Sequence, residues 1–124
     1  MGGLAMIEIR QLVRVAKRLQ EASGYVELGM PQHALDCLVG LGELGPFEAE
    51  VELVRGEAYR AQHRYDDAAV ALKAAAKRFP SPFDKSAWLA LGLCYFQAGN
   101  KAKAAQMLAR ARGVGPSRKR PRPR

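Results

Sequence analysis

Apolar residues in the last third of the chain recur three or four positions apart, the spacing that places side chains on one face of a helix. A first segment has Trp88, Leu91, Gly92 and Tyr95 at these positions, and a second has Ala104, Leu108 and Ala111. Gly99 and Asn100 predict a turn between the two segments. Pro116 predicts the end of the second, because proline cannot continue the hydrogen-bond ladder of a helix. The pattern therefore predicts one antiparallel helical hairpin.

The same pattern occurs twice more toward the N-terminus. Thirty-six residues earlier, the equivalent positions are Gly56, Tyr59, Ala68, Leu72, Ala75 and Pro80. A further 34 residues back, they are Tyr25, Ala34, Leu38 and Pro46. The alanines let the two helices of each hairpin approach closely, and the larger side chains fill the space around them. A single hairpin leaves an apolar face uncovered, so we expect the three to stack into one cooperative array.

The order Trp, Leu-Gly, Tyr, turn Gly, Ala, bulky apolar, Ala and Pro resembles the tetratricopeptide repeat (TPR) signature at every marked position. This resemblance implies an all-α fold, a TPR-like array of three antiparallel helical hairpins that forms an α-solenoid with a right-handed superhelix. The predicted repeats are residues 15–48, 49–82 and 85–117. Phe83 and Asp84 form an insertion between the last two repeats.

The first two repeats depart from the signature. The positions of Trp88 and Leu91 are taken by charged residues there, namely Glu52 and Arg55 in the second repeat and Arg18 and Glu21 in the first. The resemblance therefore weakens toward the N-terminus. Because Glu21 and Arg55 are equivalent positions in adjacent repeats, we expect them to form an ion pair between repeats. The alternative is a one-residue shift that turns both side chains outward.

The two ends of the array differ in their predicted structure. The helical spacing continues upstream of the first repeat, so residues 1–14 predict an N-terminal extension of a long first helix. The basic residues on its other sides are interpreted as a solvated face, namely Arg10, Arg14, Lys17 and Arg18. At the other end, Lys101 and Arg112 replace Tyr65 and Ala76, so we expect no further repeat. Residues 118–124 predict a disordered basic tail.

Composition and charge narrow the range of partners. The 124 residues are enough for one domain, and no apolar run approaches the roughly 18–20 residues of a membrane helix. The N-terminus lacks the features of a secretory signal, so we expect a cytoplasmic protein without a membrane partner. The net charge is +8, of which five charges come from the tail residues Arg118, Lys119, Arg120, Arg122 and Arg124. Any argument for nucleic-acid binding therefore rests on the tail and not on the folded body.

The sequence contains no catalytic or cofactor motif, such as a phosphate-binding glycine loop, a paired-cysteine metal spacing or a nucleophile elbow. We therefore predict no enzyme, no cofactor and no metal. Cys37 and Cys94 lie on separate predicted helices and are interpreted as buried reduced thiols. His33 and Cys37 have a spacing that could share a metal, but two ligands do not make a zinc site.

Two further polar features have a structural interpretation. Asp66 and Asp67 begin a predicted helix, where carboxylates offset the positive end of the helix dipole. His63 occupies the turn position that Gly29 and Gly99 occupy in their repeats. We expect a positive φ there, which histidine tolerates better than most residues but less well than glycine.

The resemblance implies that a partner binds the concave surface formed by the first helix of each hairpin. The residues predicted to line it are Leu19, Ser23, Val26, Leu53, Glu57, Arg60, Leu89, Leu93 and Phe96. TPR proteins that bind the acidic tails of heat-shock chaperones use Lys and Asn on these helices. Leu19, Leu53 and Leu89 take the Lys positions here, so we exclude that partner.

The apolar residues Leu89, Leu93 and Phe96 predict a groove that receives an aliphatic or aromatic anchor from another protein or peptide segment. Two alternatives stay open for this groove, since the long first helix or a second copy of the chain, as in a homo-oligomer, would also cover it. A second function is a TPR body held on nucleic acid or another polyanion by the basic tail, for which a solubilising tail is the simpler interpretation. A third function is that of a small chaperone of a secretion system, which the number of repeats and the chain length fit but no specific motif supports.

Overall fold

Helices are the only regular elements in the computed structural model, which describes residues 2–113 and side chains from Glu8 onward. The six α-helices are α1 Gly2–Glu27, α2 Pro31–Cys37, α3 Glu48–Ala61, α4 Tyr65–Arg78, α5 Lys85–Gln97 and α6 Lys101–Ala111. A short 3₁₀ helix, Gly45–Phe47, leads into α3. The all-α prediction and the long first helix are therefore confirmed. Residues 114–117 of the third predicted repeat and the tail 118–124 lie outside the described residues.

The helices pair in sequence as α1 with α2, α3 with α4, and α5 with α6, and each pair packs against the next. Two clusters of buried apolar residues result, one among α1, α2 and α3 and the other centred on α4 and α5. Helix α3 contributes to both, since Val51 and Val54 lie in the first cluster while Leu53 and Tyr59 pack against the second. The array therefore has a continuous apolar interior joined by α3.

The turn between the two helices has the same geometry in all three hairpins. Gly29, His63 and Gly99 have φ values of 74°, 61° and 91° at equivalent positions. In each turn the next backbone N–H donates to a tyrosine carbonyl, with N···O distances of 2.8, 2.9 and 2.8 Å at Tyr25, Tyr59 and Tyr95. The positive φ predicted for His63 is confirmed. Its ring Nδ1 lies 2.8 Å from the Tyr65 hydroxyl, a contact that holds the imidazole over the turn.

Two glycines set the distance between the helices of the second and third hairpins. A Cβ placed on Gly56 would lie 2.5 Å from Leu72 side-chain atoms, and one on Gly92 would lie 2.8 Å from Leu108 Cδ2. The absence of a side chain therefore lets each leucine pack directly on the facing helix backbone. The equivalent position in the first hairpin is Ala22, which is fully buried.

The second helix of the first hairpin is much shorter than expected. The sequence predicts that Pro46 ends it, but α2 ends at Cys37. Three glycines follow with positive φ, namely Gly40 at 67°, Gly42 at 74° and Gly45 at 55°. This left-handed backbone is incompatible with a helix, so the chain leaves α2 well before Pro46, and Pro46 lies in the 3₁₀ helix instead. Leu38 and Leu41 stay buried in the loop.

Helix α1 supplies hydrogen bonds to the loop that replaces the missing part of α2. The Arg14 guanidinium donates to the Gly40 carbonyl at 3.0 Å and to the Leu41 carbonyl at 2.9 Å. Gln11 Nε2 donates to the Leu41 carbonyl and, at 2.8 Å, to the Glu43 carbonyl. Arg14 is exposed, as expected of a solvated face, but its charged end also satisfies carbonyl groups that have no helical partner.

The ion pair predicted between Glu21 and Arg55 does not form among the described residues. Arg18 Nη1 lies 3.0 Å from Glu21 Oε1, and Arg55 Nη1 lies 2.6 Å from Glu52 Oε1. Each residue thus pairs with a partner three positions away on its own helix. Such partners are already within reach, whereas a pair between helices requires both long side chains to bridge them.

The last helix has the polar outer face expected of a terminal repeat. Lys101 and Arg112 are exposed, whereas Ala76, equivalent to Arg112, is buried against α5. Both cysteines are free and buried, as predicted. None of the helices in residues 2–113 combines the length and the hydropathy that crossing a bilayer requires.

Candidate functional site

The first helices of consecutive hairpins are neighbours, because α1 packs against α3 and α3 packs against α5. We call the side chains predicted from the sequence to line these helices the first-helix surface. They are Leu19, Ser23 and Val26 on α1, Leu53, Glu57 and Arg60 on α3, and Leu89, Leu93 and Phe96 on α5. Within each helix the three residues lie at positions i, i+4 and i+7, so they share one face.

Contacts at both ends of α5 place its exposed stripe beside α3. At the N-terminal end, Ser86 and Leu53 line the same cleft. At the C-terminal end, Arg60 Nη1 donates to Gln97 Oε1 at 3.2 Å. Because Ser86 and Gln97 flank the stripe, Leu89, Leu93 and Phe96 lie between the two contact points, alongside Leu53, Glu57 and Arg60.

The three apolar side chains on α5 are accessible to solvent. Leu89, Leu93 and Phe96 have exposed fractions of 46%, 39% and 58%. The remaining large apolar residues of the helix, Trp88 and Leu91, are buried in the core. Helix α5 is therefore apolar on both of its long faces, and the core uses only one of them. An exposed apolar stripe of this kind is typical of an interaction surface.

Helix α3 adds a charged pair to this surface. Glu57 is half-buried, and its pKa is raised above the ordinary value because burial disfavours the charged carboxylate, while the positive charge of Arg60 opposes the shift. Arg60 Nε is buried and has no hydrogen-bond partner among the described residues. The guanidinium is thus held by Gln97 through Nη1, while the N–H of the buried Nε is left unsatisfied.

Arg60 also affects the nearest cysteine. Burial raises the pKa of the Cys94 thiol, with Arg60 opposing the shift and Asp66 adding to it. The thiol donates a hydrogen bond to the Tyr65 carbonyl, with an S···O distance of 3.5 Å. A buried thiol with a raised pKa is a poor nucleophile, so Cys94 has a packing role.

The α1 part of the surface is the least accessible. Leu19 is 7% exposed and belongs to the first core cluster, while Ser23 and Val26 are half-buried. Leu19 and Ser23 line a cleft of about 300 Å³ between α1 and α3. Leu19 therefore offers little of its side chain to a partner, and α1 contributes mainly the wall of this cleft.

Two residues that the sequence did not indicate also line the clefts. Glu50 on α3 borders both the cleft against α1 and a second one, of about 490 Å³, that also contains Leu53. Phe83 borders the second cleft from the loop between α4 and α5 and is exposed. The sequence does place Phe83 in an insertion between repeats. Such insertions form loops outside the repeat body, so this position could have predicted an exposed side chain.

The residues considered above as metal ligands or acids lie in positions that packing and helix capping explain. His33 is exposed and its ring lies 5.3 Å from that of Tyr25, whereas Cys37 is buried in the core. No group of three or more His, Cys, Asp or Glu side chains suited to a metal ion occurs in the described part of the chain. Asp66 and Asp67 lie in the first turn of α4, the position predicted for them.

Stacked helical hairpins with an exposed face along their first helices define a helical-repeat protein of the α-solenoid class. The tetratricopeptide repeat profile matches residues 53–119, which is more than half of the chain. The chain belongs to the tetratricopeptide repeat family. The match leaves out α1 and α2, the hairpin with the shortened second helix and the weakest signature. No curated protein matches the chain.

Proposed function

We propose that the protein is a protein–protein interaction module whose first-helix surface binds a partner segment through an aliphatic or aromatic anchor. Leu89, Leu93 and Phe96 are the residues that receive this anchor. Tetratricopeptide repeats generally bind protein partners and act as scaffolds without catalysis of their own. The observation that supports this surface over the rest of the molecule is the exposed apolar stripe on α5, bordered at both ends by contacts to α3.

Arg60 supplies the polar part of this recognition. A bound segment has backbone carbonyl groups that lose water as its anchor is buried, and each of them needs a donor. The guanidinium of Arg60 lies next to the stripe, and its Nη groups carry N–H donors beyond the one bonded to Gln97, whereas its Nε is buried. Apolar contacts from α5 then provide affinity, and Arg60 fixes the orientation of the segment.

A random peptide library selected on the purified full-length chain tests this proposal. We expect the selected peptides to share one aliphatic or aromatic residue. We also expect the double variant Leu93→Asp and Phe96→Asp to weaken their binding at least about tenfold, because it places two charges in the groove. Circular dichroism of the variant should match that of the original chain, since both side chains are exposed.

Val39→Asp is the matched control, because Val39 is an exposed apolar residue in the loop after α2. It should leave peptide binding unchanged. Equal binding by the Leu93→Asp and Phe96→Asp variant would contradict the proposal. The long first helix does not cover the groove, because in the described residues no Cα atom of α1 lies within 8 Å of a Cα atom of α5, and the stripe on α5 is exposed. Light scattering addresses the other occupant, since a dimer that the double variant converts to monomer would assign the surface to a second copy.

The basic tail gives a second candidate function, a tether to nucleic acid or another polyanion. Arg118, Lys119, Arg120, Arg122 and Arg124 lie outside the described residues, so only their charge supports it. The test is removal of residues 118–124 followed by a binding assay with single-stranded DNA at low salt. Unchanged affinity would rule this function out. A role as a secretion-system chaperone has no specific residue to support it.

A further inference from the structure

A second groove lies along α4, beside α5. Helices α4 and α6 both pack against α5, and in the described residues no Cα atom of one lies within 8 Å of a Cα atom of the other. The space beside α4 is a cavity of about 450 Å³ whose lining includes Tyr95 of α5. The α4 side consists of small or apolar residues with two lysines one helical turn apart, namely Ala69, Val70, Lys73, Ala74 and Lys77. We call this the second-helix groove, and it is separate from the first-helix surface.

Two basic side chains of α4 line the groove, and two of α6 lie over aromatic rings of α5, one of them the Tyr95 ring in the lining. Lys73 and Lys77 are exposed on α4. On α6, Lys103 Nζ lies 5.4 Å from the centre of the Tyr95 ring, and Arg110 Cζ lies 4.6 Å from the centre of the Trp88 ring. Cation–π contacts therefore hold the two α6 cations over the aromatic residues of α5. None of these four cations forms an ion pair within residues 8–113.

The chain after Asp84 contains no acidic residue that could neutralise these four cations. All 12 acidic residues of the chain lie between Glu8 and Asp84, so α5 and α6 contain none. Helix α4 has Asp66 and Asp67, both in its first turn, and Asp67 pairs with Arg64 at 2.9 Å. The groove thus combines an apolar lining, which includes the 74% exposed side chain of Val70, with basic side chains around it.

We propose that the second-helix groove binds an acidic amphipathic segment of a partner protein. Apolar residues of that segment contact Val70 and the alanines, and its carboxylates face Lys73, Lys77 and Lys103. Charge complementarity specifies such a partner and excludes like-charged ones, including the chain's own basic tail. The groove suits a peptide better than nucleic acid, because Lys103 already covers one face of Tyr95, and no other aromatic ring lines the cavity for base stacking.

The probe is a labelled synthetic helical peptide with leucines on one face and glutamates elsewhere, titrated into the full-length chain by fluorescence anisotropy. We expect the double variant Lys73→Glu and Lys77→Glu to weaken binding about tenfold. Val70→Ser should weaken it severalfold by removing apolar contact. The same peptide with glutamine in place of glutamate should bind about tenfold more weakly to the unaltered chain.

The matched control is Arg10→Glu with Lys17→Glu, two exposed residues on α1 whose reversal changes the net charge by the same amount. It should leave peptide binding nearly unchanged. Equal loss in the α1 control would show that net charge alone is responsible. Full binding by the Lys73→Glu and Lys77→Glu variant would assign the peptide to the tail. Either result overturns the proposal.

Two further results would also overturn it. Single-stranded oligothymidylate could bind in a manner sensitive to Lys73→Glu and Lys77→Glu while the peptide does not, which would assign the groove to nucleic acid. A dimer in light scattering that the same variant dissociates would assign it to a second copy. The proposed function is tested by the dependence of selected peptides on Leu93 and Phe96, and this proposal by the dependence of the acidic peptide on Lys73 and Lys77. Failure of one is therefore distinguishable from failure of the other.

Discussion

Single residues determine how closely the helices of this array approach each other. Gly56 and Gly92 lie directly against a leucine of the facing helix, and the first hairpin has Ala22 at the same position. The sequence identified the repeated Gly, Ala and Leu positions. It could not show the distances, because these depend on how each leucine side chain orients on the opposing backbone.

Gly56→Ala should destabilise the protein by about 1–3 kcal/mol, since the new methyl group overlaps the Leu72 side chain and forces the two helices apart. Gly24→Ala is the matched control, because Gly24 also lies within a helix but a methyl group added there would meet no other atom within 4 Å. That change should stabilise α1 by about 0.5–1 kcal/mol. Urea denaturation measures both, and a gain of stability in Gly56→Ala would contradict the packing described.

Glu57 gives the stability of the protein a dependence on pH. Burial raises its pKa in the folded state above the ordinary value of 4.5, so the folded protein binds this proton more tightly than the unfolded chain does. Its contribution therefore favours folding at pH values below 4.5 and decreases as the pH rises from there through the raised pKa. Above that pKa the half-buried carboxylate is charged and destabilises the fold.

Glu57→Gln removes this titration, so the variant should gain stability relative to the original chain as the pH rises above 4.5. The free energy of unfolding in urea, measured across this range, tests the expectation. Glu50→Gln, an exposed change on the same helix, is the control. A constant difference between Glu57→Gln and the original chain at every pH would refute this role for Glu57.

At the scale of elements, the sequence predicted which segments are helical more accurately than where each one ends. The apolar spacing identified the long α1 and the three hairpin turns, because one face of each helix is buried and its periodicity is therefore fixed. The prediction that α2 ends at Pro46 is wrong, because the helix ends at Cys37. The spacing of Gly40, Gly42 and Gly45 contained the correct signal, since three positive φ values in six residues exclude a helix.

Arg14→Ala should cost about 1–2 kcal/mol, because net contributions of about 0.5–1.5 kcal/mol for each hydrogen bond are lost at the Gly40 and Leu41 carbonyls. Arg14→Lys should recover only part of this loss, since a lysine lacks the planar fork that reaches both acceptors. Thermal or urea denaturation gives the values, and hydrogen exchange should show faster opening in residues 38–44.

Lys17→Ala is the control for this prediction, because Lys17 is an exposed cation on the same helix. It should change stability by less than about 0.5 kcal/mol. Equal effects of Arg14→Ala and Lys17→Ala would mean that the loop does not depend on Arg14.

At the scale of the whole molecule, the repeats are not interchangeable. The first has a shortened second helix and a loop held by α1, the second shares α3 between two core clusters, and the third has an apolar stripe outside and a basic last helix. The sequence indicated the stripe, because Leu89, Leu93 and Phe96 exceed what one buried face requires. It could not indicate the second-helix groove, which depends on α4 and α6 lying apart across α5.

The one-sided distribution of acidic residues also has a kinetic consequence. The described part of the third hairpin has five cationic side chains and no acidic one, whereas all 12 acidic residues lie between Glu8 and Asp84, so these charges give the molecule an electric dipole moment. The electric field of an anionic partner would rotate the molecule across several ångströms of water, so that the third hairpin faces the partner before any contact forms. Encounter would then be fast in dilute buffer and slow in concentrated salt, while the lifetime of the complex would change much less.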